Sequence, residues 1–199
     1  MVLCVIREFV RLPSNARRLI AYYTITMPEI LGQFLIIYMF ALGFTVLVIG
    51  ALYTYLLALT ALLNIVIGRL MDIRIPPKYF MMITEALCAL SWIVIYFART
   101  LGEFMLAFSI WAIMGIFAST YRTIERDLYP QNMLEIVYKH QAFWTYLVQI
   151  FIVLAYGVIL NIDIVFFFRI LVLLAATLSA LRIVYVAFLI PRTRPVRRE

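Results

Sequence analysis

Polar and apolar positions are distributed very unevenly along this chain. From Ile30 to Gly68, 39 consecutive residues include no Asp, Glu, Lys or Arg. As one helix that run would be ~58 Å long at ~1.5 Å per residue, nearly twice a ~30 Å hydrocarbon core. It must therefore fold back, and Ala41-Leu42-Gly43-Phe44 is the plausible break. The pattern predicts spans over 19–41 and 45–67, then over 79–98, 104–125, 141–160 and 164–190, six helices in all. The last is ~40 Å long, one tilted helix and not two. Ser14 or Asn15 can cap the first, and Pro130 and Pro191 mark the ends of the fourth and sixth elements.

Ahead of the first span, Val2, Leu3, Ile6, Phe9 and Val10 fall on one helical face, with Arg7, Glu8 and Arg11 elsewhere. Residues 1–18 read as an amphipathic segment lying in the membrane interface; the alternative is a frayed tail. Too few apolar residues precede Arg7 for the core of a signal peptide, and no small-residue cleavage site follows, so none is expected. Residues 191–199 form a basic tail.

Composition strengthens the membrane reading. The chain is 66% hydrophobic and 14% charged, against ~45–50% and roughly a quarter in soluble domains. A soluble fold of this size could not hide so much apolar surface. Cys4 and Cys88 lie in apolar surroundings at different expected depths, as small buried hydrophobes and not a disulfide or metal site.

Charge predicts the orientation. With both termini in the cytoplasm, the inner side holds Arg7, Arg11, Arg17, Arg18, Arg69, Arg74, Lys78, Arg122, Arg126, Lys139, Arg192, Arg194, Arg197 and Arg198, 14 of the 17 basic residues. The outer connections hold only Arg99, while Arg169 and Arg182 lie within the last helix. This is the asymmetry of the positive-inside rule, and it implies a multi-pass protein of the cell membrane. The outer loops are too short for an extracellular receptor domain. The net charge of +7 is spread over segments flanking apolar helices, so it implies anionic lipid headgroups, met above all by the tail, and not nucleic acid. Tyr22, Tyr23, Tyr79, Tyr96, Tyr138 and Trp144 fall near expected helix ends, as aromatic belts do.

Between the second and third spans stands "GRLMDIRIPPK", with Gly68, Asp72, Arg74 and Lys78. It reads as a basic turn with a Pro-Pro stop, and it also resembles a degraded copy of the motif G-x-x-x-D-[RK]-x-G-[RK]-[RK] of the major facilitator superfamily, which occupies the same loop. Ile73, Ile75, Pro76 and Pro77 depart from that motif. "STYRTIERDLYP", leaving the fourth span, is loosely similar to a family segment with an Arg followed by Asp-Leu-x-Pro. The resemblance covers roughly residues 15–190 and implies an all-α integral membrane protein: one six-helix, 3+3 repeat bundle, an N-terminal-type half of a transporter, with a long cytoplasmic loop after span four. It implies that Gly68 permits close helix approach and that Asp72 pairs with a basic residue, Arg122 or Arg126.

Charges at membrane depth cost at least ~2.5–3.5 kcal/mol each at a helix centre, so they mark a partner or a pathway. Glu29 follows Pro28 halfway along the first span, with Gln33 four residues later on the same face. Pro28 can kink that helix, and kinked helices with inward polar groups are typical of transport cavities. Glu29 and Gln33 are the candidates for substrate or proton coupling; a carboxyl that is protonated or bonded to a neighbouring helix is the alternative for Glu29. Glu85 and Arg182 both lie roughly 10–13 Å from the inner helix ends, which favours a structural pair. Arg169 can snorkel, to Asp163 among other targets. Asn64 and Gln149 can hydrogen-bond between helices, and His140 falls at an interfacial loop end.

No H-E-x-x-H, G-x-S-x-G, P-loop or Cys/His cluster of ligand spacing occurs, so neither an enzyme nor a cofactor or metal site is expected. The expected function is a half-size secondary transporter moving a small solute by alternating access. One bundle supplies one wall of a cavity, so a homodimer or a pairing with another six-helix half is required. The alternative is a non-transporting membrane subunit or scaffold that retains the half-fold.

Overall fold

The computed structural model describes residues 8–25, 27–67, 76–117, 119–159 and 163–191; the side chains of 27–31, 33, 66–67, 116, 119–120, 123 and 151–159 lie outside that description. Every regular element among the described residues is helical: α1 (Ser14–Thr24), α2 (Met27–Ala41), α3 (Val46–Ile67), α4 (Pro77–Phe97), α5 (Leu101–Phe117), α6 (Ser119–Leu128), α7 (Leu134–Ile159) and α8 (Ile164–Leu189), with a 3-10 turn over Gln131–Met133.

The helix ends follow from local chemistry. The uncharged run folds back where the sequence predicts, and Gly43 makes it possible: its φ is +91°, a region open to glycine because it has no Cβ. The N–H of Phe44 donates to Met39 O at 3.1 Å and that of Gly43 to Phe40 O at 2.9 Å, the paired bonds of a Schellman stop. Thr45 then caps α3, its Oγ1 accepting from Val48 N at 3.4 Å. At the start of α5, Glu103 Oε2 accepts from the N–H groups of Arg99 (2.6 Å) and Thr100 (2.8 Å), while Thr100 Oγ1 accepts from Glu103 N at 3.4 Å. That reciprocal pair is a capping box. Pro77 opens α4 at its first position, where the missing N–H is no loss.

Three expectations need correction. The first span, expected as one helix over 19–41, is two helices: α1 ends at Thr24, and the Ile25 N–H turns back to Ala21 O and Tyr22 O. The cause is Pro28, which in a continuous helix would clash with the carbonyl of Thr24; as the second residue of α2 it is tolerated. The helix that begins at Ser14 also runs through the boundary expected at residue 18. The long loop expected before the fifth span is largely helical, since α7 begins at Leu134.

α4 sits at the centre, packed along α8 and α5 and against α6; α3 lies outermost on α5, and α7 lies against α1. Two apolar cores result. One, around Tyr38, Trp92, Phe104, Phe108 and Phe168, fills the end that carries the Gly43 turn. The other, around Leu12, Leu19, Met81, Ile124 and Val186, fills the opposite end. Among the described residues, three helices are long and apolar enough to cross a membrane: Val46–Ile65, Pro77–Phe97 and Ile164–Leu189. Their outer faces expose residues such as Leu47, Leu57, Ile65, Phe97 and Phe188, apolar surface that suits lipid and not water. The described fold is thus all-helical and fits a membrane protein.

Candidate functional site

Where the two apolar cores meet, four helices contribute polar side chains to one buried cluster. Along α4, Met81 belongs to one core and Trp92 to the other, with Thr84, Glu85 and Cys88 between them; along α8, Ser179 and Arg182 lie between Val186 and Ala175. The antiparallel run of α4 against α8 brings the two polar levels together. Arg182 Nη2 lies 3.1 Å from Glu85 Oε1, with both side chains almost completely buried. α1 adds Tyr22, whose hydroxyl donates to Glu85 Oε1, and α6 adds Tyr121, whose hydroxyl donates to the same oxygen at 3.1 Å. The two phenol oxygens are 3.0 Å apart. Two phenol protons thus serve three close contacts, so the hydrogens are shared around the triangle.

The guanidinium also stacks, with Arg182 Cζ 4.3 Å from the centroid of the Tyr22 ring. A desolvated cation over an aromatic face gains up to ~2 kcal/mol, which helps offset its burial. Ser179 Oγ donates to Cys88 Sγ at 3.4 Å, one helical turn further into the bundle. Thr84 Oγ1 donates back to Phe80 O at 2.8 Å. One carboxylate thus receives bonds from three other helices, and the arrangement can fix α1, α4, α6 and α8 in register.

A second constellation lies at the α1 end of the bundle. His140, which its sequence position puts at an interfacial loop end, is fully buried. The Phe9 ring packs edge-on against it at 5.8 Å, and Glu8 Oε2 approaches its Nε2 at 3.8 Å and Lys139 Nζ at 3.7 Å. Among the described residues, neither imidazole nitrogen has a hydrogen-bond partner. Burial pushes the His140 pKa down, opposed by Glu8 and assisted by Lys139. Lys78 Nζ donates to Ala187 O at 2.8 Å and Ile190 O at 2.7 Å, closing the end of α8.

The other sequence candidates are dispersed. Gly68, Asp72 and Arg74 lie outside the described residues, and so does any contact of Asp72 with Arg122 or Arg126. Arg122 is exposed, and Arg126 is exposed with its Nε 3.9 Å from the neighbouring Asp127. The backbone of α2 carries Glu29 and Gln33, whose side chains are outside the description. Position 29 falls in the first turn of α2, and the register 29, 33, 36, 40 is a single helical face, on which Ile36 and Phe40 are exposed. Asn64 is exposed and Gln149 half-buried. Asp163 caps α8, its Oδ1 accepting from Val165 N at 2.8 Å, and among the described residues it forms no ion pair with Arg169.

Tyr22 and Tyr121 are the cluster members that sequence reasoning misses. The sequence pattern places Tyr22 in an aromatic belt and sets Tyr121 apart only by its place in "STYRTIERDLYP". The available signal was an intramembrane Glu and Arg at equal depth, a pair that needs additional donors. Among the described residues, no three His, Cys, Asp or Glu side chains are grouped as a metal site. No family model matches the chain, and no curated protein matches it either.

Proposed function

We propose that this chain is a half-size, transporter-like protein of the cell membrane, with six spans and cytoplasmic termini, that moves a small solute as a dimer. The observation that carries this reading is the interruption of the first expected span at Ile25, which puts Glu29 in the first turn of α2. A helix N-terminus favours a carboxylate. Membrane transporters also build their ion and solute sites at interrupted helices near the midplane. The face that includes positions 29 and 33 continues into exposed Ile36 and Phe40. A carboxylate on a lipid-facing surface would be costly, and a second six-helix half laid on α2 would cover it and supply the missing wall.

The test pairs assembly with flux. Cysteines replacing Ile36 or Phe40, in a chain lacking Cys4 and Cys88, should cross-link two copies in native membranes. In vesicles screened against a panel of solutes, Glu29→Gln should abolish solute-coupled proton movement and leave the cross-link intact. A monomer with no cross-link at either position sinks the proposal.

A second reading, a non-transporting subunit or scaffold, draws on the closed cluster around Glu85, which serves packing with or without transport. In that case Glu29 substitutions are silent, while Asp72 or Glu85 substitutions reduce the yield of folded protein.

A further inference from the structure

Ser14, Arg17, Arg18 and Ala21 recur at the helical spacing that puts them on one face of α1. With Phe9 from the preceding turn and Tyr185 from α8, they line a groove of about 370 Å³, within the range of small-ligand sites. The groove combines two chemistries. Its walls are the apolar bodies of Phe9, Ala21 and Tyr185 and the stems of the two arginines. Its polar edge is cationic: Arg17 Nε is shielded from solvent yet has no hydrogen-bond partner among the described residues. Arg18 directs Nη1 to Leu189 O at 3.3 Å and keeps its other donors at an exposed edge.

The start of α1 adds to the positive end. Pro13 precedes the helix and provides no side-chain cap, so first-turn N–H groups remain available to an anion. Among the described residues no carboxylate lines the groove, and Glu8, the acidic residue next to Phe9, is turned toward Lys139 and His140. The walls are held in place, since Tyr185 Oη donates to the backbone carbonyl of Arg18 at 2.8 Å.

We propose that this groove is a discrete binding site for one anionic phospholipid, its phosphate held by Arg17, Arg18 and the α1 amides and its glycerol region against Phe9, Ala21 and Tyr185. The apolar walls favour a lipid over a free anion, because inorganic phosphate would leave them uncovered. A planar guanidinium suits paired contacts with phosphate oxygens. This is a fixed site between α1 and α8, distinct from the diffuse attraction of the basic tail.

The full chain in neutral detergent should be titrated with phosphatidylglycerol, phosphatidylcholine of the same acyl chains, and inorganic phosphate, with thermal unfolding as the readout. Phosphatidylglycerol should stabilise saturably, and phosphatidylcholine and phosphate should not. Arg17→Gln, which preserves the Arg18 bond to Leu189, should weaken the phosphatidylglycerol response at least ~10-fold. Ser14→Glu places a carboxylate where the helix end favours one, so the protein should fold normally and lose the response. Arg197→Gln/Arg198→Gln should retain it. A wild-type response from Arg17→Gln or Ser14→Glu overturns the site. An equal response to inorganic phosphate or to phosphatidylcholine overturns the assignment to an anionic lipid.

Discussion

Removing one partner from the Glu85–Arg182 pair should be far more damaging than removing both. Arg182→Met deletes the ion pair and the stacking on Tyr22, and it leaves a buried carboxylate held by two phenols. Breaking a buried pair from one side typically costs about 3–5 kcal/mol. Glu85→Gln keeps an acceptor for Tyr22 and Tyr121 but leaves a guanidinium with 4% exposure uncompensated, a penalty in the same range. In the double variant both charges are absent and the methionine occupies similar volume, so most of the electrostatic penalty disappears. The cycle should therefore show a coupling of at least about 3 kcal/mol, at or beyond the upper end for contacting residues. An ordinary interhelical hydrogen bond in a membrane protein contributes only about 0.6 kcal/mol, so the two explanations are well separated. Equilibrium unfolding in mixed micelles, followed by fluorescence of buried Trp92, provides the four free energies. Single-variant effects that add to the double-variant effect within ~0.5 kcal/mol would refute the cluster as a charge-linked unit.

Three further outcomes are expected. Gly43→Ala forces a side chain into positive φ and should destabilise by about 1–2 kcal/mol in the same assay; no change would mean the α2–α3 turn can re-form another way. The His140 pKa is lowered in the fold, so the unfolded chain binds more protons in the interval between the lowered value and the ordinary 6.5. Stability should be full above pH 6.5 and decline as pH falls through that interval, and His140→Phe should remove the step between pH 7.5 and pH 5. Glu103 titrates below its ordinary 4.5 because backbone N–H groups of Arg99 and Thr100 bind its carboxylate. Its cap should thus persist above pH 4.5 and fail as pH falls through the lowered value; Glu103→Gln should speed hydrogen exchange at the Arg99 and Thr100 amides at neutral pH.

What the sequence discloses depends on how local each signal is. The Gly43 turn is legible because an uncharged run too long for one helix has only one candidate break. The start of α8 is legible at residue 164 because an apolar run opens there, although the capping role of Asp163, whose Oδ1 accepts from Val165 N, is seen only in the structure. Counting from helix ends puts Glu85 and Arg182 at one level, since depth is an arithmetic property of a helix. The roles of Tyr22 and Tyr121 are not legible in this way. A tyrosine near a helix end looks the same whether its hydroxyl reaches headgroups or a buried carboxylate, and only the packing of α1 and α6 on α4 distinguishes the two. His140 is similar: its burial depends on Phe9 being folded over it from more than a hundred positions away. Pro28 was visible as a source of kinking, but a kink and a complete break differ by tertiary contacts, with α1 held by α7 and α2 by α8.

The order in which the cluster's parts emerge during synthesis has its own consequence. Glu85 precedes Arg182 by 97 positions, an interval of roughly 5–20 s at ~5–20 residues per second. Throughout it, α4 carries a carboxylate whose cationic partner does not yet exist, and Lys78 awaits the carbonyls of Ala187 and Ile190. Tyr22 is already available from α1, and Tyr121 follows with α6, so the phenols can shelter Glu85 before the guanidinium arrives. α8 then satisfies both waiting groups at once. An unfinished chain is therefore chemically different from a finished one at the middle of its bundle.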